Sequence, residues 1–298
     1  MRHLPGPILI GLATILWGTT GTTQALAPDA ATPLTVGALR LLVAAVVLML
    51  IAGFTGHLGT LSGMRRPATL LAALGVAAYQ PFFFLAVDRT GVVVGTIVAI
   101  GTAPIFAGLL AWVFDRAAPS RVWVSATAVA IAGVGLLVAA GSDLGTNAAG
   151  ITYALIAGAA YATYVIAARQ FSREGNVIGS TAIIFALAAA ILLPLLAVDD
   201  LGWVATTGGT IAVLHLGVLA TAAAYLLFAA GLKTTRSTTA TTLTLGEPVT
   251  ATLLGVVAVG ERPPLLGWAG FALVLVALIA AATEGRSNRF IPLRSRSN

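Results

Sequence analysis

The 298-residue sequence has no cysteine. That excludes disulfide frameworks, thiolate metal sites, CxxC haem attachment and cysteine nucleophiles. It has three histidines, His3, His57 and His215, too few and too scattered for a metal cluster. No GxxxxGK[ST] phosphate loop is present, so nucleotide hydrolysis is not expected. Charge is scarce as well: 9% of residues are charged, against about 25% in a soluble domain. With 16 basic and 10 acidic side chains, the chain could not cover itself as a water-soluble globule. No cofactor, no metal and no nucleic-acid partner are expected, and no enzymatic activity.

What fills the sequence is apolar, at 58% hydrophobic residues with a further 33 glycines. A helix that crosses a bilayer needs about 20 mostly apolar residues. Ten such runs are predicted, at 6–27, 33–54, 67–87, 92–114, 121–140, 148–168, 177–198, 209–231, 238–259 and 264–283. Polar or proline-bearing joints separate them, including Arg65-Arg66-Pro67, Asp115-Arg116, Asp199-Asp200 and Arg262-Pro263-Pro264. The first run resembles a cleaved signal peptide in its basic start and its Ala25-Leu26-Ala27. It is read as a span, because it is long and takes part in the repeat described below. From about residue 284 the chain is a short basic tail with Arg286, Arg289, Arg294 and Arg296.

Basic residues mark the cytoplasmic side of a membrane protein. With ten spans and both termini cytoplasmic, Arg2, Arg65, Arg66, Arg116, Arg121, Arg169, Arg173, Lys233, Arg236 and the four tail arginines fall inside, 13 of the 16 basic residues. Asp29, Asp88, Asp143, Asp199, Asp200 and Glu261 fall outside. The expected location is the cell membrane, as a multi-pass protein in contact with the lipid bilayer.

Sliding the chain against itself by 144 positions pairs Pro104 with Pro248, Ala107 with Ala251, Leu109 with Leu253, Leu110 with Leu254 and Val113 with Val257. The same offset lays Trp17-Gly18-Thr19 on Tyr161-Ala162-Thr163. Two five-span halves are expected, 1–143 and 144–298. Because five is odd, the second half enters the membrane from the opposite side. Such inverted repeats build secondary transporters, with the substrate site near the midplane between the halves. The fold class expected is therefore an all-α membrane protein of ten transmembrane helices, arranged as two inverted repeats around a central cavity.

Several motifs resemble the EamA-type transporters of the drug/metabolite transporter superfamily. They are Leu16-Trp17-Gly18-Thr19, Arg40, Ala103-Pro104 and Asp115-Arg116 in the first half, then Gly246-Glu247-Pro248 and Gly260-Glu261-Arg262 in the second. Asp115 stands where many members carry Glu, and Tyr161 where the second repeat often has Trp. The resemblance implies transport of small metabolites such as amino acids, often as export. A non-transporting scaffold or receptor, or a lipid flippase, is the alternative.

Glu247 is the acidic residue placed inside a span, and Arg40 the basic one. An ionisable group at that depth is costly and normally faces a cavity or a partner. Glu247 reads either as a substrate-amine or proton site, flanked by Thr244 and Thr250, or as a lock on backbone freed by Pro248. Arg40 reads either as a carboxylate contact or as a structural pair or snorkelling group. Trp17, Gln24, Tyr79, Gln80, Tyr161, Tyr164 and Tyr225 supply aromatic and amide groups at similar depth, and Thr221 lies one turn before Tyr225. Pro104 and Pro248 are hinge candidates. His215 reads as a satisfied hydrogen-bonding group rather than a proton relay.

Overall fold

The computed structural model describes residues 4–25, 27–57, 67–115, 120–139, 147–173, 177–197, 200–254, 257 and 265–287. Arg2, Arg65, Arg66, Arg116, Asp143, Asp199, Gly260, Glu261, Arg262 and the tail beyond Ser287 lie outside the described residues, as do the side chains of Gln24, Asp115 and Pro248. The described residues form helices and no strand. In chain order these are α1 (Gly6–Gly18), α2 (Thr20–Ala25), α3 (Pro33–Phe54), α4 (Pro67–Asp115), α5 (Arg121–Ala139), α6 (Ala148–Arg173), α7 (Val177–Leu192), α8 (Thr207–Leu214), α9 (Ala224–Leu232), α10 (Ser237–Leu243), α11 (Glu247–Leu254) and α12 (Leu265–Ser287).

Four of the helices, α3, α5, α6 and α8, begin at side-chain caps. Thr32 precedes Pro33 and its hydroxyl accepts from Thr35 N, Ser120 accepts from Trp123 N, Asn147 from Gly150 N and Thr206 from Gly209 N. Each cap satisfies one amide that the first turn leaves unpaired. Inside the helices the threonines turn back on themselves, as Thr14 to Gly11 O, Thr163 to Ala159 O and Thr241 to Thr238 O show. A hydroxyl bonded to its own helix carbonyl can be buried at little cost.

Five stretches are long and apolar enough to cross a membrane: Leu34–Phe54, Pro67–Ala86, Ala148–Phe171, Val177–Ala197 and Thr207–Leu232. Gly6–Gly18, Val98–Val113, Arg121–Gly133 and Leu265–Ala277 are apolar but shorter. Several expected spans depart from continuous α-helix, the eighth through the π-helical stretch His215–Ala223. The first breaks at Thr19, between α1 and α2. The ninth passes through a 3-10 turn, Thr244–Gly246, between α10 and α11.

The spans expected at 67–87 and 92–114 form the single helical stretch α4. It is not a straight rod. The 13-residue step from Ala86 to Ala99 would cover about 20 Å as straight helix, yet both residues pack in one small cluster with Ala154 and Ala157 of α6. The chain therefore doubles back between Ala86 and Ala99, and α6 lies against both arms. Glycine makes this contact close: a Cβ at Gly158 would stand 2.7 Å from the Ala99 carbonyl oxygen, and one at Gly75 2.7 Å from that of Ala160. Small residues let transmembrane backbones approach in this way.

Helix contacts follow the 144-residue offset. α1 packs on α9, as α6 packs on the first arm of α4. α1 also meets α10 and α11, as α6 meets the second arm of α4. The pairs α3–α7 and α5–α12 map onto themselves. Contacts cross between the halves throughout, and the core cluster draws on α1, α3, α4, α6, α7, α9 and α10 together.

Candidate functional site

The core holds a group of aromatic rings contributed by both halves. Trp17 of α1 meets Tyr225 of α9 with ring centroids 5.0 Å apart, and Tyr161 of α6 meets Tyr79 of α4 at 5.6 Å. Trp17 and Tyr161 correspond at the 144-residue offset, whereas Tyr79 and Tyr225 stand two residues out of that register. Trp17 and Tyr161 then touch each other edge to face at 6.4 Å. Tyr164, Phe185 and Phe228 close the group, with Phe185 4.6 Å from Tyr225 and Phe228 5.3 Å from Trp17. Offset and edge-to-face contacts of this kind are the favourable arrangements of aromatic rings.

The rings carry polar ends, and not all are satisfied. The indole nitrogen of Trp17 and the hydroxyl of Tyr161 are buried without a hydrogen-bond partner among the described residues. A donor left unpaired in an apolar interior is costly. The indole nitrogens of Trp123 and Trp203, outside this group, are unpaired in the same way among the described residues.

Two charges break the symmetry of this frame. Arg40, on α3, is 8% exposed. Its Nε donates to Thr221 Oγ1 at 3.0 Å, and the Thr221 hydroxyl donates to Leu216 O at 2.6 Å. The residue 144 positions beyond Arg40 is Ile184, buried and apolar. Glu247 is the first residue of α11 and is half-buried; its counterpart is the small, buried Ala103. Arg40 and Glu247 act on each other electrostatically. Tyr79 and Tyr225 lie in the field of both, and Tyr161 in that of Glu247. Among the described residues no contact ion pair joins the two charges, so they share a neighbourhood without neutralising each other directly.

Local sequence explains how Glu247 reaches the aromatic group. The helix is interrupted at Thr244–Gly246, and Pro248 is the second residue of α11, where its missing N–H costs little. Gly18 of α1 lets α11 come close: a Cβ there would stand 2.5 Å from Thr250 Cβ and 3.0 Å from the Glu247 carbonyl oxygen.

Arg40, Glu247, Trp17, Tyr79, Tyr161, Tyr164 and Tyr225 are thus brought together around one centre. Gln80 is buried at its edge, with its amide oxygen 3.6 Å from where a Cβ at Gly37 would be. Thr244 is buried and its hydroxyl donates to Thr241 O at 2.7 Å, so that side chain serves its own helix. Pro104 lies inside α4 without interrupting it, whereas Pro248 follows a change of helix type. His215 is hydrogen-bonded, its Nε2 2.8 Å from Thr19 Oγ1.

Sequence reading passed over Phe185 and Phe228, which stand in alanine-rich runs with no polar neighbour to single them out. It also missed the wide π-helical stretch His215–Ala223 between α8 and α9. Such widened turns are frequent at functional sites. Here the stretch carries both His215, bonded to Thr19, and Thr221, bonded to Arg40.

The EamA-like transporter family model matches the chain twice, over residues 4–139 and 148–283. A Bacillus subtilis (strain 168) protein described as the uncharacterized transporter YwfM is 40% identical over 282 residues, covering 95% of this chain and 95% of that protein. A protein of known crystal structure, 21% identical, superposes with a TM-score of 0.79 over 95% of this chain and 98% of its own, a likeness of fold. A doubled family domain, long apolar helices and a closely related transporter over nearly the full length agree: the chain belongs to the EamA-like transporter family and is a multi-pass membrane transporter.

Proposed function

We propose that the protein is a secondary transporter that moves small zwitterionic, amphipathic metabolites, amino acids or related compounds, across the cell membrane by alternating access, in the direction of export. The observation that carries this reading is the placement of Arg40 and Glu247 around one aromatic group without a contact ion pair between them. A carboxylate suits the Arg40 guanidinium, which Thr221 holds by its Nε. An ammonium suits Glu247 and the faces of Tyr79, Tyr225 and Trp17. The unpaired donors of Trp17 and Tyr161 add two further contacts for a carboxylate or carbonyl oxygen.

The architecture in this reading is ten spans in two inverted repeats, 1–143 and 144–298, with both termini cytoplasmic. The duplicated family match, the repeat-related helix contacts and the distribution of arginine support it. Two similar halves in opposite orientation give inward- and outward-open states of comparable energy, as alternating access requires. Energy then comes from a gradient of substrate or of protons, with Glu247 as the proton-carrying candidate and Pro104 and Pro248 as the hinge candidates.

The experiment is a panel of labelled amino acids and related metabolites applied to right-side-out vesicles, with and without the protein and with and without a proton gradient. The reading expects protein-dependent flux of at least one zwitterion, lowered tenfold or more by Arg40→Gln. Flux confined to compounds without a carboxylate, or unchanged in Arg40→Gln, contradicts it. If Glu247→Gln still concentrates substrate under a proton gradient as the wild type does, proton coupling through Glu247 is wrong.

A further inference from the structure

A groove of about 330 Å³ runs between the second arm of α4 and α5. Its walls are apolar: Ile105, Leu109 and Trp112 on one side, Val124, Ala128 and Ile131 on the other. Five of these six are exposed. The groove is deep because Gly108 has no side chain. A Cβ there would stand 2.6 Å from the Trp123 ring, so the indole seats against the α4 backbone and leaves the space above it open.

One end of the groove is charged. Arg121 is the first residue of α5, one turn before Val124, and it is exposed. The Ser120 hydroxyl caps this helix by accepting from Trp123 N at 3.0 Å. A guanidinium beside a helix N-terminus attracts an anion from two sources, its own charge and the helix dipole. Length completes the match. The 10-residue step from Arg121 to Ile131 rises about 15 Å along the helix. That is half of the roughly 30 Å hydrocarbon thickness of a bilayer, or one leaflet.

We propose that this groove is a binding site for one anionic glycerophospholipid of the leaflet level with Arg121. An acyl chain lies along Ile105, Leu109, Val124 and Ile131, and the headgroup phosphate sits on Arg121. A zwitterionic lipid offers the same chain, but its own cation competes with Arg121 for the phosphate. The site is independent of the substrate reading above and stands or falls without it.

The test is native mass spectrometry of the full chain after mild detergent extraction from vesicles of equal phosphatidylglycerol and phosphatidylcholine. The expected result is one retained phosphatidylglycerol per chain in the wild type. Arg121→Gln lowers its occupancy tenfold or more, and Ala128→Trp, which fills the groove, does the same. Arg121→Gln changes an exposed side chain and is expected to fold normally, as its melting temperature would verify, so it decides the matter even if Ala128→Trp does not fold. Retention of no lipid, equal retention of phosphatidylcholine, unchanged occupancy in Arg121→Gln, or a second copy of the chain in place of lipid each overturns the proposal.

Discussion

Trp17 and Tyr161 stand 144 residues apart, at corresponding positions of the two halves, and their rings meet edge to face at 6.4 Å with an interplanar angle of 83°. Each is backed by a tyrosine from the other half, Tyr225 behind Trp17 and Tyr79 behind Tyr161. The interface between the halves is therefore aromatic at its centre. Trp17→Ala empties a space bordered by Tyr161, Tyr225 and Phe228, and is expected to cost about 3–5 kcal/mol, the range for removing a large buried aromatic. Trp17→Phe keeps most of the packing and should cost about 1–2 kcal/mol, while still removing the indole donor. Thermal unfolding in nanodiscs measures both. Equal stability of Trp17→Ala and wild type would show that the rings do not hold the halves together.

Thr221 is bonded twice, accepting from Arg40 Nε and donating to Leu216 O. Valine has nearly the same shape and no hydroxyl. Thr221→Val leaves the buried Nε–H of a charged group unpaired, expected to cost about 1.5–3 kcal/mol. Thr221→Ser restores the hydroxyl and should recover most of that. If Arg40 receives substrate, Thr221→Val raises the KM of a carboxylate-bearing substrate more than it lowers kcat, because it loosens a positioning contact. Flux assays over a concentration series separate the two.

Glycine positions give a prediction with a built-in control. A side chain at Gly158 collides with Ala99 O and with Thr102 of α4, whereas among the described residues nothing lies within 4 Å of a Cβ at Gly135. Gly158→Leu should prevent α4 and α6 from closing and lower the melting temperature sharply or abolish folded protein. Gly135→Ala should raise stability slightly, by about 0.5–1 kcal/mol, since alanine is the better helix former. Size-exclusion chromatography and thermal unfolding read both outcomes.

The long apolar runs, the repeat and the pairing of Trp17 with Tyr161 were legible because each depends on composition or on internal similarity. That 67–115 holds two apolar runs was legible, but the sequence carries no signal that helical backbone continues through the reversal between them. The His215–Ala223 stretch was not legible at all. It lies against another element: Val43 and the Arg40 carbonyl stand where a Cβ at Gly217 would reach, and Arg40 engages Thr221, contacts that local sequence does not announce. Thr244 was expected to face the same stripe as Glu247, on the assumption of a continuous helix. The 3-10 turn at Thr244–Gly246 changes the register, and the hydroxyl turns to Thr241 O instead.

Thr19 ties the α1–α2 break to the π-helical stretch: its hydroxyl lies 2.6 Å from Leu16 O and 2.8 Å from His215 Nε2. Thr19→Val removes both contacts and should lower the melting temperature, while Thr19→Ser should keep it near wild type. Equal melting temperatures for Thr19→Val and wild type would show that this bond does not hold the break.

The most direct measurement of the central claim uses a transported amino acid together with its methyl ester and its N-acetyl derivative, in proteoliposomes of wild type, Arg40→Gln and Glu247→Gln. With the carboxylate on Arg40 and the ammonium on Glu247, the ester should lose its sensitivity to Arg40→Gln, and the N-acetyl compound its sensitivity to Glu247→Gln. Each variant should slow the parent compound tenfold or more. If all three compounds respond alike to both substitutions, or to neither, Arg40 and Glu247 do not hold the two ends of the substrate.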